Sequence, residues 1–205
     1  MNMSDHYYSE RPQSEAITET KQVFLLGQSF TFKMSTGVFS KKGIDFGTRL
    51  LIESFEVPEV EGDILDLGCG YGPIGMTLAY QNPDRNVFMV DINERAVSLA
   101  EENARTNNVT NVKIKQSDGF LNVDKQLFAA IVTNPPIRAG KKVIYDFFKT
   151  SLSYLKMDGE LWIVIQKKQG APSAIEYLTS IYEEVETVTR KKGYYIIRAR
   201  KGREK

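Results

Sequence analysis

The residues of this chain that could do chemistry begin with Asn134, which precedes Pro135 and Pro136 and follows the apolar run FAAIVT. We expect that run to be a buried strand. Each proline pushes the residue before it into extended geometry, and neither proline offers an N–H donor. The corner therefore presents acceptors, and the Asn134 side-chain oxygen and the Pro135 carbonyl suit a substrate –NH₂ group. We assign Asn134, Pro135 and Pro136 as the candidate catalytic residues.

An exocyclic amine of a nucleobase is a poor nucleophile because its lone pair is conjugated with the ring. Two acceptors can hold such a nitrogen while it pyramidalises and develops positive charge. Alignment of the nitrogen with an electrophilic methyl group supplies much of the remaining rate enhancement. This chemistry needs no strong base, which agrees with a chain whose single histidine, His6, lies in a polar N-terminal segment. The alternative for the corner is a turn that only ends a strand.

A glycine loop follows an earlier apolar run, in the sequence DLGCGYGPIG, where Gly68, Gly70 and Gly72 alternate. Such a loop lets the backbone turn tightly and approach a ligand closely. The same letters fit the G-x-G-x-x-G pattern of dinucleotide-dependent oxidoreductases through Gly75. Asp66 argues against that alternative, because a carboxylate at the mouth of the loop repels a pyrophosphate and attracts a cation. A sulfonium cofactor with an amino-acid tail brings two positive centres.

Acidic residues follow the next two predicted strands. Asp91 ends the first of them, where an acid can accept both hydroxyls of a ribose. Asp118 follows the second, where it could accept from an adenine amino group while Phe120 covers the ring. The alternative for each acid alone is a cap or a surface turn. Together they outline an adenosine site, with the candidate cofactor-binding residues Asp66, Gly68, Cys69, Gly70, Gly72, Asp91, Ile92, Asp118, Gly119 and Asn134.

The elements that must position these residues alternate between strands and helices. The patterns predict strands at 63–68, 86–91, 111–116, 128–133 and 159–165, and helices at 74–81, 93–106, 142–156 and 171–180. Two last strands, at 183–188 and 194–199, are joined by RKKG and must pair antiparallel. Upstream we expect a hairpin over 23–33 that turns at Gly-Gln-Ser and a helix with Thr48 as its N-cap. The fold class is α/β: a Rossmann-like, seven-stranded, mostly parallel sheet with helices on both faces, an antiparallel last strand and a small N-terminal β-hairpin extension.

The composition limits the class of protein. A chain of 205 residues with 41% hydrophobic residues suits one large domain. No apolar run approaches the roughly 20 residues that span a bilayer, and the N-terminus has no apolar signal core. We therefore expect a cytoplasmic protein without membrane contact. One cysteine and one histidine disfavour a zinc site or a histidine-based nucleophile, so we predict no metal.

The net charge of +1 is unevenly distributed. Residues 190–205 carry +7, whereas the rest of the chain carries −6. A basic end on an acidic body suggests an anionic partner such as nucleic acid, and the alternative is a last strand with a solvated tail. We predict that this basic end holds phosphates together with Arg138, Lys141 and Lys142 beside the Asn-Pro-Pro corner.

In this order, DLGCGYG, the strand end at Asp91, Ser117-Asp118 and NPP resemble the class I S-adenosylmethionine-dependent methyltransferases that act on amino nitrogens. The run TGVFSKKGIDFGTRLL at 36–51 is similar to the segment before the cofactor loop in the small-subunit ribosomal RNA guanine-N2 methyltransferases (RsmC-like). The resemblance implies that this segment lies against the cofactor and the substrate entrance. It implies the substrate-binding residues Phe39, Lys41, Asp45, Thr48, Ile137, Arg138 and Lys141. Ile137 departs from the family, which usually has an aromatic residue there.

The resemblance implies an S-adenosylmethionine-dependent N-methyltransferase that modifies an exocyclic amino group, most specifically guanine N2 in ribosomal RNA. RNA, as ribosomal RNA or the small ribosomal subunit, is the implied partner. We expect a loose segment at 1–21 and a single methyltransferase domain at 22–205, with a hairpin and helix extension at 22–60 and a catalytic core at 61–200. Two alternatives stay open. One is a protein glutamine-amide N-methyltransferase, and the other is a non-catalytic RNA-binding or assembly factor with the same fold.

Overall fold

A computed structural model describes residues 18–35 and 43–202. A two-stranded antiparallel hairpin precedes the main sheet and consists of β1 (Thr18–Leu25) and β2 (Gln28–Ser35). The main sheet consists of β3 (Ile64–Leu67), β4 (Val87–Asp91), β5 (Val112–Gln116), β6 (Phe128–Thr133), β7 (Leu155–Gln166), β8 (Glu184–Lys191) and β9 (Tyr194–Arg200). The helices are α1 (Phe46–Ser54), α2 (Pro73–Gln81), α3 (Glu94–Thr106), α4 (Lys141–Tyr154) and α5 (Ala171–Ile181).

The seven strands of the main sheet have the order β5-β4-β3-β6-β7-β9-β8. Strands β3 to β7 pair in parallel, and β9 runs antiparallel to both β7 and β8. The predicted fold class is therefore confirmed, including the reversed last strand. The strand order switches at β3, because the chain continues to β4 on one side and later returns to β6 on the other. Ligands of such sheets bind beyond the carboxyl ends of the strands at this point.

Each face of the sheet is covered by its own apolar core. The hairpin, α1, α2 and α3 pack on one face, where Trp162 and Tyr71 are fully buried. Helices α4 and α5 pack on the other face, where Phe128 and Phe148 are fully buried. Burial of one large apolar side chain contributes roughly 1.5–3 kcal/mol, so both layers stabilise the edge of the sheet at which the predicted site lies.

Two asparagines at the C-terminal end of α3, Asn103 within the helix and Asn107 directly after it, fasten the hairpin to the main domain. Asn103 accepts from the Lys33 N–H at 2.7 Å and donates to the Lys33 carbonyl at 2.9 Å. Asn107 makes the same pair of bonds with Thr31, both at 2.8 Å. The two amides thus satisfy the outer backbone groups of β2 as a neighbouring strand would. Strand β1 begins at Thr18, so the prediction of a loose segment through residue 21 is wrong for its last four residues.

Three local predictions are corrected. The hairpin turns at Leu26 and Gly27, both with positive φ, and Gln28 already belongs to β2. The N-cap of α1 is Asp45, whose carboxylate accepts from the Thr48 N–H, so Thr48 lies inside the helix. Strand β7 begins at Leu155, because a register shift opposite β6 lets the strand continue through residues that were predicted to end α4. Within the described residues, no helix is long and apolar enough to cross a membrane.

Candidate active site

A cavity of about 640 Å³ opens beyond the carboxyl ends of β3, β4 and β6. Its size is within the range of small-ligand sites. The predicted site residues that line it are Asp45, Gly68, Gly70, Asp91, Ile92, Asp118, Gly119, Asn134, Pro135, Pro136, Ile137 and Arg138. The predicted site residues that do not line it are Thr48, Asp66, Cys69, Gly72 and Lys141. Phe39 and Lys41 lie outside the described residues.

The glycine loop folds back onto the end of β4. Gly68 and Gly70 have φ values of 79° and 57°, which lie in the left-handed region that favours glycine. The Gly68 N–H donates to the Val90 carbonyl at 2.9 Å, and the Gly70 N–H donates to Asp91 Oδ2 at 2.8 Å. A Cβ on Gly68 would meet nothing within 4 Å. The glycine there therefore provides the backbone conformation, and the space above it is open.

Asp91 joins the glycine loop to the start of α3. Its Oδ2 accepts from the Gly70 N–H, and its Oδ1 accepts from the Asn93 N–H at 2.9 Å. Burial raises the pKa of the Asp91 carboxyl, and these N–H donors act in the opposite direction. Each carboxylate oxygen has more than one acceptor position. The Asp91 carboxylate can therefore accept from a pair of ligand hydroxyls while it holds the loop.

Asp66 does not lie at the mouth of the loop, and that prediction is wrong. The side chain is fully buried, and its Oδ2 accepts from the Gly75 N–H in the first turn of α2 at 2.8 Å. Its Oδ1 is buried and has no hydrogen-bond partner among the described residues. Burial raises the pKa of Asp66 to about 7; the Gly75 N–H lowers it and the Asp91 charge raises it. The carboxyl acts from beneath the loop, where the backbone of β3 and α2 encloses it.

Cys69 and Gly72 serve packing. Cys69 is 4% exposed within the core, and burial raises the pKa of its thiol well above the usual value. Gly72 has a φ of 96° at the start of α2, and a Cβ there would lie 2.2 Å from Met76 Cε. The side-chain positions of both residues face the interior, so their predicted part in cofactor binding can be made only through the backbone of the loop. No group of three or more His, Cys, Asp or Glu residues among those described could hold a metal ion.

The Asn134 amide is held in one orientation. The Thr133 hydroxyl donates to the Leu67 carbonyl at 2.7 Å, which ties the end of β6 to the end of β3. Asn134 Nδ2 donates to Thr48 Oγ1 at 2.9 Å, so Oδ1 is the atom left to accept from a ligand. The Pro136 carbonyl accepts from the Ala139 N–H, whereas none of the described residues donates to the Pro135 carbonyl. The corner therefore keeps the two acceptors that the sequence predicts.

Thr48 acts through Asn134 and does not contact the cavity. It is 2% exposed and lies in the first turn of α1. The predicted contact between Thr48 and the substrate is wrong, because the hydroxyl points at the Asn134 amide. Lys141, also predicted to bind substrate, places its ammonium over the Tyr145 ring at 5.1 Å and stands outside the cavity.

Part of the cavity wall was missed by the sequence analysis. Phe147 of α4, Gln166 and Gln169 at the end of β7, and Tyr194 at the start of β9 all line it. Phe120, which was predicted to cover a bound ring, is 8% exposed and stacks on Tyr154 in the core instead. Phe147 fits the apolar stripe of α4 and Tyr194 fits a strand pattern, so neither carries a local signal of a site.

Eight exposed cations stand at the edge of the sheet where the cavity opens, and we call them the basic edge. They are Arg138, Lys141, Lys142, Lys167, Lys168, Arg190, Lys191 and Lys192. The turn after β8 comes to this edge because Tyr194 pairs with Gln166 and the Lys167 N–H donates to the Gly193 carbonyl at 2.8 Å. None of these eight cations forms an ion pair with a described carboxylate.

The end of β9 lies at the opposite edge of the sheet. Arg200 pairs with Glu160 across the β7–β9 ladder and forms ion pairs with Asp158 and Glu184. Lys201 donates to two backbone carbonyls at 2.7 and 2.9 Å. The described cations of the basic end are therefore divided between the two ends of β9, and those that stand on the same side as Arg138, Lys141 and Lys142 are Arg190, Lys191 and Lys192. Among residues 190–202, the cations before Tyr194 stand at the edge where the cavity opens, and residues 203–205 lie outside the described part of the chain.

The residues at the ends of β3 and β4 fit a nucleoside cofactor that carries positive charge. Asp91 offers a carboxylate to a hydroxyl pair, and the Gly68–Gly70 turn leaves open space above the backbone. The unpartnered Oδ1 of Asp66 places an acceptor beneath the same loop. The corner on the neighbouring strand adds two acceptors. One class of enzyme has this strand order together with a cofactor loop after β3 and an Asn-Pro-Pro corner after β6. It is the class I S-adenosylmethionine-dependent methyltransferases, and the chain has their fold.

Residues 29–198 match the model of the methyltransferase small domain family, and the chain belongs to that family. It is an S-adenosylmethionine-dependent methyltransferase, and S-adenosylmethionine is its cofactor.

Three known proteins are similar to the chain over most of its length. The uncharacterized protein YbxB of Bacillus subtilis (strain 168) is 62% identical over 200 residues, which are 97% of this chain and 100% of that protein. Ribosomal RNA small subunit methyltransferase C of Shewanella amazonensis is 35% identical over 164 residues, which are 78% of this chain and 46% of that protein. The structure of the T. thermophilus 16S rRNA N2 G1207 methyltransferase RsmC, in complex with AdoMet and guanosine, superposes with a TM-score of 0.79 at 24% sequence identity. The matched region is 93% of this chain and 52% of the RsmC chain. The chain thus spans about half the length of these two methyltransferases.

Proposed function

We propose that the chain methylates an exocyclic amino group, and specifically guanine N2 in ribosomal RNA. The observation that carries the proposal is the Asn134 amide, whose nitrogen is held by Thr48 at 2.9 Å so that its oxygen accepts beside the Pro135 carbonyl. An amine with two N–H groups is the nucleophile that this pair of acceptors fits. The names of the two methyltransferases that match the chain, both of ribosomal RNA of the small subunit, support the choice of RNA.

S-Adenosylmethionine supplies an electrophilic methyl group on a sulfonium. We assign the ribose hydroxyls to Asp91 and the adenine side to Asp118 and Gly119. Gly68 and Gly70 allow close approach of the backbone. The full set proposed to hold the cofactor is Gly68, Gly70, Asp91, Ile92, Asp118, Gly119 and Asn134, with Asp66 acting from beneath the loop.

In this proposal the corner works by orientation and by electrostatic stabilisation. Asn134 Oδ1 and the Pro135 carbonyl each accept one N–H of the target amine, which turns the nitrogen lone pair toward the methyl group. Both acceptors strengthen their bonds as positive charge develops on the nitrogen. Removal of one preorganised group of this kind costs roughly 10²–10³ in rate. Pro136 contributes by fixing the backbone of the corner.

The basic edge supports RNA as the substrate. Its eight cations have no described ion-pair partner and stand at the edge of the sheet where the cavity opens, whereas Arg198 and Arg200 toward the far edge are paired with acids. Phosphate contacts of this kind position a nucleic acid and make binding depend on salt. The target base leaves its stack to enter the cavity. A ribosomal RNA or small-subunit substrate places the proposed activity in the cytoplasm.

The test uses purified protein and methyl-labelled S-adenosylmethionine with ribosomal RNA, assembled small subunits and total protein from a strain lacking the gene. Digestion and mass spectrometry identify the labelled residue. We expect label in N2-methylguanosine, with a rate roughly 10²-fold lower for Asn134→Ala. Asn86→Ala, at the exposed amino end of β4, is the matched control and should keep the wild-type rate. Label in a glutamine amide would establish the protein-substrate alternative, and cofactor binding without label in any substrate would favour the non-catalytic one.

A further inference from the structure

Asp45 has a carboxylate oxygen that none of the described residues uses. Its Oδ1 accepts from the Thr48 N–H at 3.0 Å and caps α1. Its Oδ2 is buried and has no hydrogen-bond partner within the described part of the chain, yet the residue lines the cavity. A buried carboxylate oxygen without a partner is unfavourable. Because the residue lines the cavity, rotation of the carboxylate about its own axis would bring this oxygen toward a ligand N–H, which would satisfy it.

Thr48 places this carboxylate next to the catalytic corner. Its backbone N–H bonds Asp45 Oδ1 at 3.0 Å, and its side-chain Oγ1 bonds Asn134 Nδ2 at 2.9 Å. One buried residue therefore holds both side chains, and both of them line the same cavity. When the amine of a planar ligand occupies the corner, an atom next to that amine on the edge of the ligand lies on the side of Asp45.

The identity of that neighbouring atom separates the possible substrates. In guanine the N2 amine lies between two ring nitrogens: N1, which carries a hydrogen and donates, and N3, which carries a lone pair. In adenine and cytosine the ring nitrogen beside the amine carries a lone pair, and in a glutamine side chain the neighbouring atom is a carbonyl oxygen. A carboxylate accepts from the first and repels the other three. Sites built to pair a polar group reject analogues that leave it unpaired.

Tyr194 supplies an aromatic wall for the same part of the cavity. Its ring packs on Phe46, with 5.5 Å between ring centroids, and Phe46 directly follows Asp45. Gly47 allows this approach, because a Cβ there would lie 2.7 Å from a Tyr194 ring carbon. Bases stack on aromatic side chains largely irrespective of sequence. Ile137 lines the cavity without a ring, so Tyr194 is the aromatic residue available on this side.

We propose that Asp45 is the residue that selects guanine. Its Oδ2 accepts the N1–H of the target base while Asn134 and Pro135 hold the N2 amine, and the Tyr194 ring stacks on the base. This assignment rests on the proposed function and deepens it, since it names the group that distinguishes guanine from the other amino-bearing substrates.

The first test compares wild type and Asp45→Asn in labelled methyl transfer to ribosomal RNA from a strain lacking the gene. The asparagine oxygen still caps α1, but an NH₂ donor replaces the acceptor in the cavity. The rate of N2-methylguanosine formation should fall roughly 10- to 100-fold, with the affinity for S-adenosylmethionine unchanged within about twofold. Glu53→Gln, in the last turn of α1, is the matched control and should behave as wild type. If Asp45→Asn methylates at the wild-type rate, this inference alone is overturned. If the wild-type enzyme places its label in a product other than N2-methylguanosine, the proposed function is overturned as well.

The second test needs no Asp45 variant. Guanosine and 1-methylguanosine compete with RNA for the wild-type enzyme in the presence of S-adenosylmethionine. The concentration of guanosine that inhibits methyl transfer should be at least roughly tenfold lower than that of 1-methylguanosine, because 1-methylguanosine lacks the N1–H. Equal inhibition, or no inhibition by guanosine, overturns the assignment.

The stacking wall is tested with two variants of Tyr194. Tyr194→Leu should raise the KM for RNA roughly 10-fold, whereas Tyr194→Phe should not. Equal KM values would remove Tyr194 from the subsite.

Discussion

Replacing Thr48 by valine tests whether the Asn134 amide is oriented from α1. Valine keeps the branched shape of the buried side chain and removes the oxygen that accepts from Asn134 Nδ2 at 2.9 Å. Without that acceptor the amide nitrogen loses its partner, and the amide can rotate to present a donor to the substrate amine. The lost orientation is worth about 1–3 kcal/mol, the usual cost of leaving such a group unsatisfied. At about 1.4 kcal/mol for each factor of ten, kcat should fall roughly 5- to 150-fold.

The assay is single-turnover methyl transfer at saturating S-adenosylmethionine, with cofactor affinity measured separately by calorimetry. The affinity should stay within about twofold, because Thr48 does not line the cavity. Thr48→Ser keeps the hydroxyl and loses a buried methyl group, which costs about 1 kcal/mol of unfolding free energy. It should therefore be no more stable than Thr48→Val and yet nearly as active as wild type. A Thr48→Val enzyme at the wild-type rate, or a Thr48→Ser enzyme as slow as Thr48→Val, would show that the Thr48 hydroxyl does not orient the Asn134 amide.

Three further predictions concern the cofactor side, the basic edge and the buried acid. Asp91→Ala should weaken S-adenosylmethionine binding at least roughly tenfold, since it removes a charged acceptor and the brace on the Gly70 N–H; an unchanged calorimetric affinity would contradict the ribose assignment. Lys192→Ala should lower RNA affinity and reduce the salt slope by about 1, whereas Lys149→Ala, on the exposed face of α4, should change neither in salt titrations of RNA binding. Burial raises the pKa of Asp66 from 3.8 to about 7, so the folded protein holds a proton that the unfolded chain releases between those pH values. Its unfolding free energy should therefore fall by up to about 4 kcal/mol from pH 4 to 7 relative to Asp66→Asn, and parallel denaturation profiles would show that Asp66 does not titrate in this way.

The alternating pattern of strands and helices was sufficient to predict the main sheet. Strands β3, β4 and β6 are short apolar runs, and Gly68, Asp91 and Asn134 stand at their carboxyl ends, so these signals are local. Strand β5 alternates apolar residues with lysines, which is also a local pattern. The start of the helix predicted at 93–106 is also a local signal, because the Asn93 side chain accepts from the N–H groups of the next turn and caps α3. Thr48 was assigned a cap in error, because Asp45, three residues earlier, is an equally good capping residue and the helix begins directly after it.

The candidate site was predictable where one segment carries both the backbone signal and the functional group. Gly68, Gly70, Asp91 and Asn134 are of this kind, and all of them line the cavity. Tyr194 could not be predicted, because it reaches the cavity only through the antiparallel pairing of β9 with the end of β7.

The same limit applies to groups whose side-chain direction decides their role. Asp66 and Phe120 have the right residue types in the right order, but both side chains are buried in the interior. The two ends of the basic segment likewise separate because β9 spans the sheet from one edge to the other. The order of residues in the sequence does not give the direction of a side chain or the separation between the two ends of β9.

The most direct measurement of the central claim is the amount of N2-methylguanosine in small-subunit ribosomal RNA from three strains. One lacks the gene, one is complemented with the wild-type gene and one with the Asn134→Ala variant, with both proteins made at equal levels. We expect the modified nucleoside to be lower by one residue per subunit in the first strain than in the strain with the wild-type gene, and not to be restored by Asn134→Ala. Equal amounts in all three strains, or full restoration by Asn134→Ala, would contradict it.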